Sequence, residues 1–148
     1  MLKDKLMAAA IIGLLADVAK LITNLAGYLL NLTDVVFWQI TATLFLDKEN
    51  LFKPVAYIIG GTADLIVTMA LGIIFLYFFD YAGHKYIYLK GLGFGMAVWV
   101  GLFGLFQKQA VQPQLPQTPS GIIVTIIAHS VYGLALAYFS NKLWFKKK

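Results

Sequence analysis

Cysteine and arginine are absent from the sequence, and charged residues make up only 13% of its 148 positions. The lack of cysteine excludes thiolate metal sites, cysteine nucleophiles and a disulfide framework. The lack of arginine argues against a nucleic-acid partner and against bidentate phosphate clamps, since both favour this residue. A typical soluble domain is about one quarter charged, so the low charge also argues against an ordinary cytosolic enzyme.

Apolar residues are abundant instead, and 60% of the chain is hydrophobic. Four apolar runs are each long enough to cross the hydrocarbon core of a bilayer. They lie at about residues 6–30, 55–79, 91–106 and 121–143. We therefore predict an all-α fold, an integral membrane four-helix bundle that forms a single transmembrane domain over residues 1–148.

A fifth apolar segment, at about residues 35–46, is too short to cross the roughly 30 Å of hydrocarbon. Thr33 or Asp34 is suited to cap its first turn. Phe37 and Trp38 are aromatic residues suited to the headgroup level of a membrane. The segment therefore predicts a short interfacial or re-entrant helix after the first span. The alternative is that it continues the first helix across a kink.

The lysines are distributed unequally between the two predicted sides of the membrane. The side that carries both termini and the loop after the second span holds Lys3, Lys5, Lys85, Lys90, Lys142, Lys146, Lys147 and Lys148. The other side holds Lys48, Lys53 and Lys108. Because cytoplasmic loops carry the excess of basic residues, this split of eight against three predicts that both termini are cytoplasmic.

The first span carries small and polar residues on one face. They recur at steps of three or four, which places them within about 80° of one another on a helix. These residues are Gly13, Asp17, Lys20, Asn24, Gly27 and Asn31. An ionisable group that faces lipid costs at least a few kcal/mol. We therefore expect this stripe to face other helices or water.

Asp64 and His129 are expected at the depth of Lys20, about 12–15 Å below the outer surface, when residues are counted from the span ends. The candidate site residues are therefore Asp17, Lys20, Asn24, Asp64 and His129, of which the four ionisable ones could meet in one buried cluster. Carboxylates with a histidine suit a proton or ion site, or a polar pocket for a small ligand. Alternatively, the Asp17–Lys20 pair or the whole cluster only fixes the packing of the helices.

Small residues in the later spans predict close helix packing. The pairs are Ala56 with Gly60, Gly91 with Gly95, and Gly133 with Ala137, and Gly101 extends the third span. We expect Gly91, Gly95 and Gly101 to lie against another helix. Each pair could pack within the bundle or form a homodimer face, so we also expect a homo-oligomer or a membrane-protein partner within the lipid bilayer.

The sequence contains no HExxH motif and no Ser–His–Asp spacing with a supporting context. His84 and His129 are predicted near opposite membrane faces, so they cannot share a metal. We therefore expect neither an enzyme nor a cofactor or metal site. The function that we favour is a small channel-like, transporter-like or ligand-binding membrane protein with a buried polar site. The alternative is a non-catalytic accessory or scaffold subunit of a larger membrane complex.

Three stretches in the second half of the chain are similar to known sequences. They are LGIIFLYFF at Leu71–Phe79, YLKGLGFGMAVW at Tyr88–Trp99 and HSVYGLALAY at His129–Tyr138. Together they resemble a family of small, four-span, uncharacterised membrane proteins of clostridia-like Gram-positive bacteria. The resemblance implies a compact bundle in a bacterial cytoplasmic membrane. It implies no activity and assigns no functional residue.

Overall fold

The computed structural model describes residues 4–105, 115 and 117–147, and within these residues it contains helices and no strand. The helices are α1 (Lys5–Leu29), α2 (Phe37–Ala42), α3 (Pro54–Ala82), α4 (Ile87–Val98) and α5 (Pro119–Leu143). A π-helical segment, Trp99–Gly104, continues α4, and short 3-10 turns lie at Lys48–Asn50 and Phe145–Lys147. The predicted all-α fold is therefore confirmed for the described part of the chain.

Four of these helices are long and apolar enough to cross a membrane. They are Lys5–Leu29, Pro54–Ala82, Ile87–Gly104 and Pro119–Leu143, where the third combines α4 with the π segment. These helices correspond to the four apolar runs seen in the sequence. The predicted end of the third run, Phe106, lies outside the described residues.

Local sequence signals explain where several helices begin. The Asp4 carboxylate accepts a 2.7 Å hydrogen bond from the Met7 backbone N–H and caps α1. The Thr118 hydroxyl accepts a 3.1 Å hydrogen bond from the Gly121 N–H and caps α5. Pro54 occupies the first turn of α3, where a missing backbone N–H breaks no helical hydrogen bond.

The helices pack side by side in the order α2, α3, α1, α5 and α4. Lys5 at the start of α1 pairs with Asp80 near the end of α3 at 2.7 Å, so these two helices run in opposite directions. At the same end of the bundle, the His84 ring between α3 and α4 stacks on Phe145 after α5, with 4.8 Å between the ring centroids. Both ends of the described chain therefore lie at one end of the bundle.

Glycines allow the closest helix contacts, because a Cβ atom at these positions would collide with a neighbouring backbone. Gly13 of α1 lies against the Thr68 carbonyl of α3. Gly91 and Gly95 of α4 lie against the backbone of α5 around Gly133. The GxxxG pair of the third span is thus occupied by a contact within the chain and does not form a homodimer face.

Within the described residues, no helix packs against Gly101, contrary to the prediction. In the described part of the structure, a Cβ atom at Gly101 would meet nothing within 4 Å. The face of α4 that meets α5 continues through Trp99 and Phe103, which follow Gly95 at steps of four. The Trp99 indole donates a 3.0 Å hydrogen bond to the Thr125 hydroxyl of α5. Gly101 lies midway between these two aromatic residues in sequence, so its Cα faces away from α5.

The segment after α1 forms a separate short helix, so the alternative of a kinked continuation is wrong. Helix α1 ends at Leu29, and Asn31 takes a left-handed conformation with a φ angle of 55°. The chain then turns back before α2 begins at Phe37. A Cβ atom at Gly60 of α3 would collide with the Trp38 carbonyl, so α2 packs directly on α3. Asn31 lies outside the helix that carries the polar stripe.

The start of α2 is held by α1, and neither Thr33 nor Asp34 is its cap. The Asn24 side-chain oxygen accepts a 2.8 Å hydrogen bond from the Phe37 backbone N–H. Phe37 is only 3% exposed, and its ring centroid lies 5.4 Å from that of His129. The Phe37 ring therefore faces the interior of the bundle, because the turn after α1 directs it there, while its level in a membrane stays a prediction.

Candidate functional site

The Lys20 ammonium lies between two carboxylates inside the bundle. Its Nζ atom is 2.7 Å from Asp17 Oδ1 and 2.7 Å from Asp64 Oδ1. The exposed fractions of Asp17, Lys20 and Asp64 are 0%, 4% and 6%. The Lys20 ammonium forms an ion pair with each carboxylate and donates a hydrogen bond to Asp64 Oδ1. These three residues are called the ion cluster below.

Helical spacing and close packing bring the ion cluster together. Asp17 and Lys20 are three residues apart on α1 and share one face. Gly13, one turn before Asp17, allows α1 to approach α3 at Thr68. Asp64 lies one turn before Thr68 on α3 and therefore reaches the Lys20 ammonium.

When both carboxylates are ionised, the ion cluster carries one surplus negative charge, because two carboxylates face one ammonium. Its members are also the only buried charged residues in the ranges that the structure describes. The Oδ2 atoms of Asp17 and Asp64 accept no hydrogen bond from these ranges. Buried carboxylate oxygens normally accept hydrogen bonds, so the ion cluster has unused acceptor capacity.

His129 lies beside the ion cluster but does not join its ion pairs. Its Nδ1 atom is 2.8 Å from the Thr125 carbonyl oxygen. Because a carbonyl only accepts, Nδ1 carries the proton of the neutral ring and Nε2 is an acceptor. The ring packs edge-on against Phe37 at 5.4 Å and Phe103 at 5.7 Å. Within the described residues, no hydrogen bond links His129 to the ion cluster.

Asn24 supports the site indirectly. It lies one turn after Lys20 on α1 and is 1% exposed. Its bond to the Phe37 backbone holds the start of α2, and the Phe37 ring centroid lies 5.0 Å from Lys20 Nζ. Asn24 is therefore a positioning residue for α2, and no side-chain hydrogen bond links it to the ion cluster within the described residues.

A cavity of about 150 Å³ lies next to the ion cluster. Lys20 and Asp64 form its charged end, together with Thr68, His129 and Tyr132. The rest of the lining is mostly apolar and comprises Phe37, Ile40, Thr41, Leu44, Val67, Leu71, Val98, Leu102 and Phe103. Apolar walls with a few convergent polar groups are typical of sites for small molecules.

The cavity opens on the flank of the bundle. Three of its lining residues are also exposed on the outer surface: Leu44 by 45%, Val67 by 41% and Leu102 by 37%. Leu44 follows α2, Val67 belongs to α3 and Leu102 to the π segment. The opening therefore lies between the α2–α3 pair and the end of α4. Ile66 of α3 and Leu105 after the π segment are further exposed apolar residues that do not line the cavity.

Sequence reasoning missed the aromatic part of the site. Tyr132 is 1% exposed, its hydroxyl donates to the Thr68 carbonyl at 3.2 Å, and its ring centroid lies 5.9 Å from Lys20 Nζ. Tyr132 follows His129 by three residues on α5, and this spacing is the signal that could have identified it. Phe37 reaches the cavity through tertiary packing, for which helical spacing provides no signal.

The groups in this arrangement are suited to binding a ligand. Surplus carboxylate oxygens, one ammonium group and an imidazole acceptor surround or adjoin an apolar cavity. Among residues 4–105, 115 and 117–147, no group of three His, Cys, Asp or Glu side chains could hold a metal ion.

Comparisons with known proteins relate the chain to one family. No curated protein and no solved structure matches it. One family model, described as a family of unknown function (DUF6789), matches residues 3–145. This match agrees with the resemblance to an uncharacterised family, while the bacterial source and the four spans of that family stay predictions. Because the match covers nearly the whole sequence, the chain belongs to this family of unknown function, DUF6789.

Proposed function

We propose that this chain is a multi-pass membrane protein that binds a small molecule in the cavity beside the ion cluster. Four helices that are long and apolar enough to cross a membrane support the membrane location. Large apolar side chains on the outer helix faces support it too, since Ile22 is 62% exposed, Ile58 69% and Leu89 71%. Such a surface is unfavourable in water and favourable in lipid.

The proposed orientation places the bundle end with Lys5 and Lys85 in the cytoplasm, because the excess of lysines lies there. Lys20 precedes Leu29, the last residue of α1, by nine positions. At the rise of an α-helix, it lies about 13 Å below the outer end of α1. Helix α2 is then re-entrant, since its start bonds to Asn24, one turn above Lys20.

The observation that carries the proposal is the contact between the cavity and the ion cluster. Ionisable groups inside a membrane are costly and by default indicate a functional site. A cluster that served packing alone would be sealed and fully paired. Asp64 instead lines the cavity and keeps one oxygen without a donor from the described residues. This arrangement favours ligand binding over a purely structural role in a scaffold subunit.

The flank opening suits a ligand that partitions into the bilayer. Leu44, Val67 and Leu102 belong both to the cavity and to the apolar outer surface. A molecule dissolved in the lipid therefore reaches the charged end without crossing the aqueous phase. The proposed activity is ligand binding, either alone or as the first step of transport, and it includes no catalytic step.

Photolabelling with a phenyl diazirine in lipid vesicles tests this proposal. Tyr132 is 1% exposed and lines the cavity, so the probe reaches it by entering the cavity. We expect label on Tyr132 as well as on exposed residues such as Leu89. The Val67→Trp variant, which fills the opening, should lose the label on Tyr132 and keep it on Leu89.

Ile66→Trp is the matched control for this experiment. Ile66 is the sequence neighbour of Val67, is 57% exposed and does not line the cavity. In this variant, the probe should label Tyr132 to the same extent as in the unmodified chain. If Tyr132 is unlabelled in the unmodified chain, or if both variants lose the label equally, the proposal is wrong and the structural role of the ion cluster is the better account.

A further inference from the structure

We propose that the ligand of this cavity is a small lipophilic cation, a protonated primary amine with an aromatic or short aliphatic body, whose ammonium group binds at Asp64. This inference rests on the proposed function and specifies the class of its ligand. The charge of the ion cluster, the hydrogen-bonding groups of the lining and the shape of the apolar wall each support it.

The charge of the ion cluster favours a cation. Asp17 and Asp64 contribute two negative charges and Lys20 one positive charge, so a monocation makes the buried site neutral. An anion would be repelled by both carboxylates. A neutral ligand would leave one buried charge uncompensated, which is costly in a medium of low dielectric constant.

Apart from one N–H of the Lys20 ammonium, which has three N–H groups and faces two carboxylates, the side-chain hydrogen-bond donors that line the cavity are already in use. The hydroxyls of Thr41, Thr68 and Tyr132 donate to backbone carbonyls at 3.1, 2.9 and 3.2 Å. The Nδ1 proton of His129 is directed at the Thr125 carbonyl. The ammonium of the ion cluster points at its two carboxylates. The lining therefore offers few donors to a ligand that accepts hydrogen bonds.

The site also contains acceptor atoms without a donor among the described residues. Asp64 Oδ2 accepts no hydrogen bond from the part of the chain that the structure describes. His129 Nε2 is an acceptor because Nδ1 carries the ring proton. A ligand that matches these groups donates hydrogen bonds, and an alkylammonium group has three N–H donors and no acceptor. A carboxylate or phosphate ligand offers hydrogen-bond acceptors instead of donors, so it does not match these groups.

The apolar wall suits the body of such an amine. Phe37 already faces a cation, because Lys20 Nζ lies 5.0 Å from its ring centroid, and Tyr132 provides a second ring at 5.9 Å. A cavity of about 150 Å³ holds a body of about the size of one benzene ring. A longer ligand would extend through the opening past Val67 into the lipid.

Competition against the diazirine label on Tyr132 tests the charge of the ligand. The competitors are phenethylammonium, 2-phenylethanol and 3-phenylpropionate, which have similar sizes and are positive, neutral and negative. Their concentrations are corrected for partitioning into the vesicles. We expect the amine to compete at a concentration at least about tenfold below that of the alcohol, which corresponds to about 1.4 kcal/mol. The carboxylate should compete least.

Asp64→Asn tests the assigned partner of the ammonium. It keeps the size of the side chain and leaves Lys20 paired with Asp17, so the ion cluster becomes neutral. We expect the advantage of the amine over the alcohol to fall below about threefold. Asp17→Asn, on α1, also makes the ion cluster neutral. It is the second variant if Asp64→Asn does not fold. Asp80→Asn is the matched control, since Asp80 pairs with Lys5 at the end of the bundle, and it should keep the full advantage.

The outcomes separate this inference from the proposed function. Equal competition by the amine and the alcohol, or strongest competition by the carboxylate, would overturn the cation and leave ligand binding intact. Loss of the advantage in Asp80→Asn as well as in Asp64→Asn would overturn the assignment to Asp64. Absence of label on Tyr132 in the unmodified chain would overturn both the inference and the proposed function.

Discussion

Two lysines connect α1 to α3, and a comparison between them shows what distinguishes the ion cluster. Lys5 Nζ lies 2.7 Å from Asp80 at the end of the bundle, and Lys20 Nζ lies 2.7 Å from Asp64 within it. The outer side chains are 26% and 17% exposed, whereas the inner ones are 5% and 8% exposed. Among the described residues, Lys5 forms an ion pair with one carboxylate, whereas Lys20 also has a second one, that of Asp17.

Equal distances therefore correspond to different energetics. A pair that is partly in water contributes about 0–1 kcal/mol, because solvent and salt weaken the attraction. A buried pair has lost its hydration, so removal of one partner leaves an uncompensated charge. One carboxylate suffices to connect the two helices at the outer pair. The second carboxylate of the ion cluster is not needed to connect the helices, and the proposed ligand would give it a role.

Removal of each lysine should separate the two pairs most strongly. Lys20→Met leaves two buried carboxylates without a counter-charge, and we expect the free energy of unfolding to fall by about 3–5 kcal/mol. Lys5→Met should lower it by about 0–1 kcal/mol. Reversible unfolding in lipid bicelles measures both values. Equal losses would show that burial does not distinguish the two pairs.

A double-mutant cycle on Asp17→Asn and Asp64→Asn sharpens the comparison within the ion cluster. Asp64→Asn alone should lower the free energy of unfolding by about 1 kcal/mol, because Asp17 still neutralises Lys20. Both changes together leave an unpaired buried ammonium, so we expect a coupling energy of about 2 kcal/mol.

The same bicelle unfolding measurement gives all corners of this cycle. A cycle on Asp17→Asn and Asp80→Asn is its control, since these residues do not share a lysine, and its effects should add. Small and strictly additive effects of Asp17→Asn and Asp64→Asn would mean that the ion cluster does not act as a unit.

Helix α4 bounds the cavity but does not contribute to the outer ion pair. A change in the packing of α4 should therefore alter the inner site and leave the Lys5–Asp80 pair in place. A Cβ atom at Gly95 would collide with the His129 carbonyl of α5. We expect Gly95→Leu to destabilise the bundle by about 2–3 kcal/mol and to lower its Tm in detergent. At Gly93 a Cβ would meet nothing within 4 Å in the described structure, so Gly93→Leu is the matched control.

An unchanged Tm of Gly95→Leu, relative to Gly93→Leu, would contradict the packing of α4 on α5. Size-exclusion chromatography with light scattering adds a second result. A smaller oligomer of Gly93→Leu would indicate that the outer face of α4 forms a contact between copies of the chain.

The smallest predicted effect compares an inner helix cap with an outer one. Asn24 holds the start of α2 inside the bundle, whereas Thr118 caps α5 at an exposed position. Asn24→Ala leaves the buried Phe37 N–H without its acceptor, and we expect a loss of about 1–2 kcal/mol. Thr118→Ala should cost about 0.5–1 kcal/mol. Faster hydrogen exchange over Phe37–Ala42 in Asn24→Ala alone would support this difference, and equal exchange in both variants would contradict it.

Much of the ion cluster follows from sequence patterns. A step of three residues brings Asp17 and Lys20 to one face of α1. Counting from Pro54 at the helical rise puts Asp64 at the depth of Lys20. These arguments succeed because an α-helix has a fixed rise and rotation, so positions within long helices depend only on where the helices begin. The all-α fold follows in the same way from the long apolar runs.

The parts that the sequence does not predict depend on contacts between distant segments. Phe37 has the character of a headgroup residue, yet it lies against His129 because the turn after α1 sends α2 back into the bundle. Gly101 has the character of a packing glycine, yet it points outward because the contact of Trp99 with Thr125 sets the rotation of α4. The cavity is likewise invisible in the sequence, since its volume depends on how five helical elements meet.

Cysteine chemistry tests most directly the claim that molecules in the lipid reach the ion cluster through the cavity. The chain has no cysteine, so the Thr68→Cys and Thr125→Cys variants each carry a single thiol. Both threonines are buried, at 3% and 1% exposed, but Thr68 lines the cavity and Thr125 does not. We expect methyl methanethiosulfonate, which is small, neutral and membrane-permeant, to modify Thr68→Cys at least about tenfold faster than Thr125→Cys in vesicles. Equally slow modification of both thiols would contradict the account.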